Sequence, residues 1–480
     1  VADRAADAAW ALDAVRVAAR VRSGEMSARE VAESVLARID AVNPAVNAIV
    51  RVLREEALAA ADAVDAARRR GEPLGPLAGV PVTTKINTDH RGLPTDNGVV
   101  AFRDLIAPDD NAVVAHLRRA GAVFVGRTNS PALAFRAFTD NRLHGLTLNP
   151  WDPARNCGGS SGGAGVALAT GLGAIAQGND IGGSIRGPAY CNGVVGLRPT
   201  VGRVASFNPG APGGRPMASQ TMSVQGPLAR TVADTRLAFE VMAAPDARDH
   251  RWTPVPLRLS PPPAPLRVAL VPEPAGGPTD PAVADAVRRA GRHLAAEGYA
   301  VEELDPPELE ATIACWFELA STEQWHGMRP RLEQVADPDF ARVLGFFFEM
   351  YPPLDLPGYL AAWARRDALL NRWTRFFEDV PLVVMPVCTE PPLPLGLDAK
   401  DLESSRRARV AHRCMYVAPL LGIPGLALPV GHDGTQPLGV QLYAARWRED
   451  LLLDAGAAIE RHEDAAAPID PRPARRGAAD

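Results

Sequence analysis

Apolar residues recur at Val31, Val35 and Ile39 behind the capping box Ser27-Ala28-Arg29-Glu30, which predicts a helix that Pro44 closes. A second helix is expected over about 55–70, with Gly71 as its stop, so residues 11–70 read as helical scaffold. The period then shortens. Gly79-Val80-Pro81-Val82-Thr83-Thr84 is a strand-like run ending at Lys85; a helix near 111–120 and a strand over 122–125 follow. A helix is expected over 163–169, strands over 174–178 and 194–198, and a new helix at Thr231-Val232-Ala233-Asp234, again with capping-box spacing. Seven prolines between 243 and 265 mark a connection. Beyond them lies a βαβ unit: a strand over 267–271, a helix capped by Asp280 with Pro281 at its first position, and a return strand over 299–304. Residues 312–377 carry Trp316, Phe317, Trp325, Phe346, Phe347, Phe348 and Tyr351, which read as a core helix pair or as the wall of a pocket. Strands return over 382–385, 426–430 and 439–443, and the Ala/Pro/Arg-rich tail from about 463 is expected to be disordered. No internal repeat is visible. This alternation predicts an α/β fold with helices covering a sheet.

Composition narrows the function classes. A chain of 480 residues, 47% of them hydrophobic, can bury a large core, and length alone allows about two to four domains. A net charge of −5 without a basic face argues against a nucleic-acid partner and leaves a small molecule as the expected substrate. Asp3, Arg4 and Asp7 interrupt the start of the chain, where a secretory or transit segment would be apolar or basic. The uncharged run 156–179 has too many Gly, Ser, Asn and Gln residues for a membrane span, so a cytoplasmic protein without membrane contact is expected. Five cysteines (Cys157, Cys191, Cys315, Cys388, Cys414), odd in number and without CxxC spacing, argue against a disulfide framework and against zinc; neither metal nor cofactor is expected. Of 51 cationic residues only Lys85 and Lys400 are lysine. Arginine is effectively never deprotonated, whereas a desolvated lysine can act as a base, which singles out Lys85 at the end of its apolar run.

The stretch 156–186 is dense in glycine and holds two serine sites, Gly158-Gly159-Ser160-Ser161-Gly162-Gly163 and Asp180-Ile181-Gly182-Gly183-Ser184-Ile185-Arg186. Such clusters commonly mark flexible loops, and here they also permit a close backbone approach to a ligand. Gly158 to Gly162 satisfies G-x-S-x-G, yet residues 152–157 are not the strand that a nucleophile elbow requires, and His432, a conceivable late base, lies in a turn-like Gly431-His432-Asp433-Gly434. Gly171-Leu172-Gly173-Ala174-Ile175-Ala176 matches a dinucleotide pattern but follows a helical segment. The third reading joins Lys85, Ser160 and Ser184, because a serine nucleophile needs a base and a buried neutral lysine can be that base.

With these residues the chain resembles the amidase signature family of Ser-cisSer-Lys hydrolases. The likeness spans nearly the whole chain and includes Gly75-Pro76-Leu77-Ala78-Gly79-Val80-Pro81-Val82, both serine motifs, Gly226-Pro227-Leu228-Ala229-Arg230, Gly422-Ile423-Pro424-Gly425 and Gly439-Val440-Gln441. The resemblance implies one domain over 1–465 with its signature core at about 75–230, a mixed twisted sheet between helices, and a disordered tail over 466–480. It makes Ser184 the nucleophile, Ser160 the bridging serine after a cis Gly159–Ser160 peptide, and Lys85 the terminal base. The N–H groups of Ile181, Gly182, Gly183 and Ser184 would form the oxyanion hole, with Asp180, Arg186 and Ser161 in support. Phe135, Tyr190, Cys315 and Trp316 are the expected pocket residues. The chain departs from the family at Asn87, close after Lys85 where many members place an acidic residue, at Cys157, often proline, and at Asn179, where threonine is common. None of these is expected to touch the triad. They point away from glutamyl-tRNA amidotransferase A subunits and toward bacterial amidases similar to cyclic amide oligomer hydrolases and urethanases. The implied activity is cofactor-independent hydrolysis of small amides, with esters and carbamates open to the same acyl transfer, by a monomer or homodimer. An amidotransferase-like subunit releasing ammonia from glutamine and a non-catalytic ligand-binding module remain the alternatives.

Overall fold

A computed structural model describes residues 8–210, 214–464 and 467–473, and one sheet of eleven strands runs through it. In chain order the strands are β1 (Ile49–Val52), β2 (Pro81–Lys85), β3 (Val123–Thr128), β4 (Ile175–Asp180), β5 (Val195–Arg198), β6 (Val224–Ala229), β7 (Arg267–Leu270), β8 (Ala300–Glu303), β9 (Leu382–Pro386), β10 (Gly425–His432) and β11 (Pro437–Ala444). Their order across the sheet is β1-β3-β2-β4-β6-β5-β10-β11-β9-β7-β8. The sheet is mixed: β2 is parallel to β3 and β4, and β7 to β8 and β9, while the remaining ladders are antiparallel. Every residue of β2, β3, β5, β6, β9 and β11 is buried, so helices and loops cover both faces there.

Most predicted elements are present with shifted ends. The capping box forms as expected, but the helix Ala28–Val46 runs through Pro44 and ends at Asn47, whose left-handed φ of 51° closes it. The βαβ unit is built from β7, the helix Pro281–Ala296 and β8. Two strands lie outside the sequence reading. β1 is four residues inside a stretch taken as helical, and β6 carries Gly226 and Pro227. The proline is tolerated because β5 pairs with β6 only at Leu228 and Ala229, so no ladder bond is required of Pro227 on that side. The helix pair expected over 312–377 is longer: Leu309–Glu323, a π-helical turn Gln324–Met328, Arg329–Val335, Pro338–Met350 and Leu356–Asp379. Within the tail, residues 467–473 are held rather than disordered. Ile469 N donates to Ala169 O at 2.8 Å, Arg38 pairs with Asp470 at 2.7 Å, and Arg472 N donates to Pro150 O at 2.9 Å. Residues 466 and 474–480 lie outside the described residues. No helix among the described residues is long and apolar enough to cross a membrane.

The sheet positions the chemistry. β2 and β4 are parallel neighbours, with Thr84 opposite Gln177, so their carboxyl ends bring Lys85 beside the segment that continues into Asp180–Arg186. Carboxyl ends of parallel strands are where α/β sheets open toward ligands.

Candidate active site

Lys85 is fully buried at the end of β2. Its Nζ lies 2.6 Å from Ser160 Oγ and donates to Asn179 Oδ1 at 2.8 Å. Burial pushes the amine well below the ordinary lysine value, against the Asp180 carboxylate, which pulls it up. Ser160 is buried and follows a cis Gly159–Ser160 peptide. The glycines before it are demanded by packing: a Cβ on Gly158, at φ 81°, would come within 2.6 Å of Pro188 Cα, and one on Gly159 within 2.6 Å of the Ala137 carbonyl carbon. Ser161 links the two serine motifs. Its N–H donates to Ser184 O at 3.2 Å, and its carbonyl accepts from Ala164 and Gly165 as the helix Gly162–Ala169 begins. Its own Oγ is buried without a partner among the described residues.

The second serine loop is braced from below. Asp180 is buried; burial alone would raise its carboxyl, but the Arg186 and Arg198 guanidiniums hold it below the ordinary carboxylate value. Arg186 reaches Asp180 at 3.1 and 3.2 Å and also donates to Gln441 Oε1 at 2.7 Å, Tyr443 Oη at 2.8 Å and Met415 O at 2.6 Å. Asp180 and Arg186 are thus paired with each other and tied to β11 and to the Met415 carbonyl. The Asp180 carboxylate also accepts from Gly183 N at 2.8 Å. That corrects one expectation, since the Gly183 amide is committed to Asp180 and cannot also serve as an open oxyanion donor. The amides of Ile181, Gly182 and Ser184 have no protein acceptor among the described residues.

Ser184 opens into a cavity of about 220 Å³. Gly159, Ile181 and Gly182 share its floor, and Phe135, Trp316, Phe347 and Tyr416 supply an aromatic wall. Trp316 is fixed by donating from Nε1 to Ile181 O at 2.9 Å and by lying 4.4 Å, centroid to centroid, from Tyr416. The carboxylates that reach the cavity are occupied: Asp398 takes two bonds of 2.8 Å from Arg136, and Glu323 accepts from Ala218 N and Tyr359 Oη. His412, also on the wall, is pushed down to about 4 by burial and by Arg409, so it is neutral at physiological pH.

Four expected pocket residues divide evenly. Phe135 and Trp316 line the cavity. Tyr190 does not: its hydroxyl donates to Glu390 O at 2.9 Å and its ring packs in the core with Ala189 and Cys191. Cys315 also turns away, its Sγ directed at Ala362 O at 3.4 Å and its thiol pushed up to about 11 chiefly by burial. His432 ends β10 where the chain turns into β11, its Nδ1 accepting from Gly434 N at 2.8 Å, and it does not line the cavity; Gly171 to Gly173 precede β4 rather than follow a strand, so neither rival motif forms its site. Tyr416 escaped sequence reasoning because the 3₁₀ segment Arg413–Tyr416 has no motif of its own. Asn179 was visible only as a departure from the family pattern, and contrary to expectation it touches Lys85.

A family model described as Amidase matches residues 30–453. The chain is similar to the indoleacetamide hydrolase of Bradyrhizobium diazoefficiens, with 47% identity over 456 residues, covering 94% of this chain and 86% of that protein. It is 33% identical to one of the glutamyl-tRNA(Gln) amidotransferase A subunits, that of Streptomyces avermitilis, covering 94% of both. Among solved structures, 6-aminohexanoate cyclic dimer hydrolase superposes with a TM-score of 0.82 at 28% identity, covering 97% of this chain and 99% of that one. A family match over most of the chain, with a relative at this identity and a fold shared end to end, makes this chain a member of the amidase signature family and a hydrolase of amides.

Proposed function

We propose that this amidase cleaves compact aryl-bearing amides, arylacetamides foremost, through an acyl-enzyme on Ser184. The observation that carries the reading is the short contact between a buried, deprotonation-prone Lys85 and Ser160 beneath a cavity that holds Ser184. In this mechanism the neutral amine of Lys85 takes the Ser160 proton as Ser160 takes that of Ser184, and Ser184 Oγ bonds to the amide carbon. The carbonyl oxygen becomes an oxyanion facing the free amides of Ile181, Gly182 and Ser184, which need no side-chain clearance at Gly182. The Lys85 ammonium returns a proton through Ser160 to the leaving nitrogen as the C–N bond breaks, and water then releases the acid by the same route in reverse. Because the acyl step does not require nitrogen as the leaving atom, esters and carbamates belong to the proposed range.

The aromatic wall supports the substrate class, as apolar walls with few polar anchors are typical of small-ligand sites. The indoleacetamide hydrolase relative points the same way. Glutamine is disfavoured, because its ammonium would need a free carboxylate and both carboxylates at the cavity are engaged. The protein is accordingly read as an independent cytoplasmic enzyme, monomer or homodimer, without an amidotransferase partner. The test is a panel of indole-3-acetamide, phenylacetamide, acetamide and glutamine, with matched esters and carbamates. The arylacetamides should exceed acetamide in kcat/KM by at least about a hundredfold, a factor set by burying an aromatic ring. Acetamide or glutamine as the best substrate would overturn the assignment.

A further inference from the structure

A neutral primary amine has one lone pair and two N–H groups, so a lysine that aims its lone pair at Ser160 must place N–H groups elsewhere. Because Lys85 is fully buried each placement matters, since an unmet donor costs the desolvation of that group. Asn179 Oδ1, 2.8 Å from Nζ, takes one of them. Asn179 is itself held: its Nδ2 donates to Asn87 Oδ1 at 2.9 Å, and the same Oδ1 accepts a longer bond of 3.4 Å from Thr88 Oγ1. With this amide orientation Lys85 Nζ and Asn179 Nδ2 each place a donor on an amide oxygen, Asn179 Oδ1 and Asn87 Oδ1 in turn. Asn87 and Asn179, two departures from the family pattern far apart in sequence, are thus one hydrogen-bonded unit that ends on Lys85 Nζ.

Both members are uncharged. The charged groups facing Lys85 are Asp180, which follows Asn179 on β4 and is tied to Arg186 and Arg198, and Arg127 of β3, whose Nη2 donates to the Lys85 carbonyl at 3.0 Å. We propose that Asn179, braced by Asn87, is a positioning residue for the Lys85 amine: it takes one N–H, directs the lone pair at Ser160, and offers the ammonium no anion to pair with. The inference rests on the reading of Lys85 as the base. It also explains why an amide, and not a carboxylate of nearly the same shape, stands at hydrogen-bond distance from the amine.

The experiment is the pH dependence of kcat/KM for phenylacetamide in Asn179→Asp, Asn87→Asp and Asn179→Ser, each checked for folding by circular dichroism. Asn179→Asp puts a carboxylate against Nζ and stabilises the ammonium, so the midpoint of the rise should move up by about one pH unit or more, a loss of about tenfold near neutrality that is recovered at higher pH. Asn87→Asp, one residue further away, should move it the same way by less. Asn179→Ser keeps a neutral acceptor and should leave the midpoint in place while lowering the plateau. Asn87→Asp keeps the test open should Asn179→Asp fail to fold. Midpoints unmoved in the aspartate variants that fold, or a loss uniform across pH, would overturn the proposal. Lys85→Arg separates the two readings: a dead Lys85→Arg with unmoved aspartate profiles refutes only the role of Asn179, whereas an active Lys85→Arg refutes the base itself.

Discussion

Lys85 is one of two lysines in a chain that otherwise uses arginine, and it sits where a guanidinium could not give up a proton. Its pKa is displaced downward by burial, so the neutral fraction grows with pH through a range below that of a free lysine. Activity that needs the neutral amine should therefore rise with pH along one ionisation and level off above it. Lys85→Arg retains charge and bulk but not the base, so it should lose as much kcat/KM as Lys85→Ala, on the order of a thousandfold if the triad acts as a unit. An arginine variant within about tenfold of the native enzyme, with an unmoved profile, would show that the proton goes elsewhere. At this scale residue type was informative where chemistry is rare: one of only two lysines, two serines among glycines, a flanking Asp–Arg pair. Direction was not. Cys315 and Trp316 are neighbours on one helix, and a rotation of about 100° per residue sends one to the cavity and the other to Ala362.

At the scale of elements, the loop between β4 and the helix Arg186–Asn192 is the decisive piece. Glycine density there was legible as permission for close approach, but its second cause is packing. Gly183 has φ 100°, a region that side chains rarely adopt, and a Cβ there would collide with Met415. Gly183→Ala should cost about 2 kcal/mol or more of stability and displace the amides of Gly182 and Ser184, lowering kcat more than it raises KM. Thermal unfolding beside steady-state kinetics checks both effects; a variant with native kcat would show that the loop does not set the amide geometry. The strands that escaped prediction share a reason. β1 is short, β6 contains Gly226 and Pro227, and both owe their conformation to neighbours that a local pattern does not reveal.

Across the whole molecule the site draws on distant parts of the chain. Arg186 is fixed by Gln441 and Tyr443 of β11, while the cavity wall comes from Phe135, Trp316 and Tyr416. The Gly439-Val440-Gln441 segment was readable as part of a family likeness, yet nothing local says that Gln441 reaches Arg186. The alternation of helix and strand gave the class of fold, whereas the strand order, with β9 and β11 set between β10 and β7, follows from long-range pairing alone. The aromatic run that admitted two readings proves to be both: Phe347 is buried in the core, its ring 5.6 Å from that of Tyr351, and also borders the cavity.

The central claim is that Ser184 carries the acyl group. Intact-protein and peptide mass spectrometry after reaction with a fluorophosphonate, and after rapid acid quench with a slowly deacylating aryl ester, tests it most directly. The account predicts one adduct per chain, on the peptide containing Ser184, absent from a folded and inactive Ser184→Ala variant. An adduct on Ser160 alone, or turnover preserved in Ser184→Ala, would contradict it.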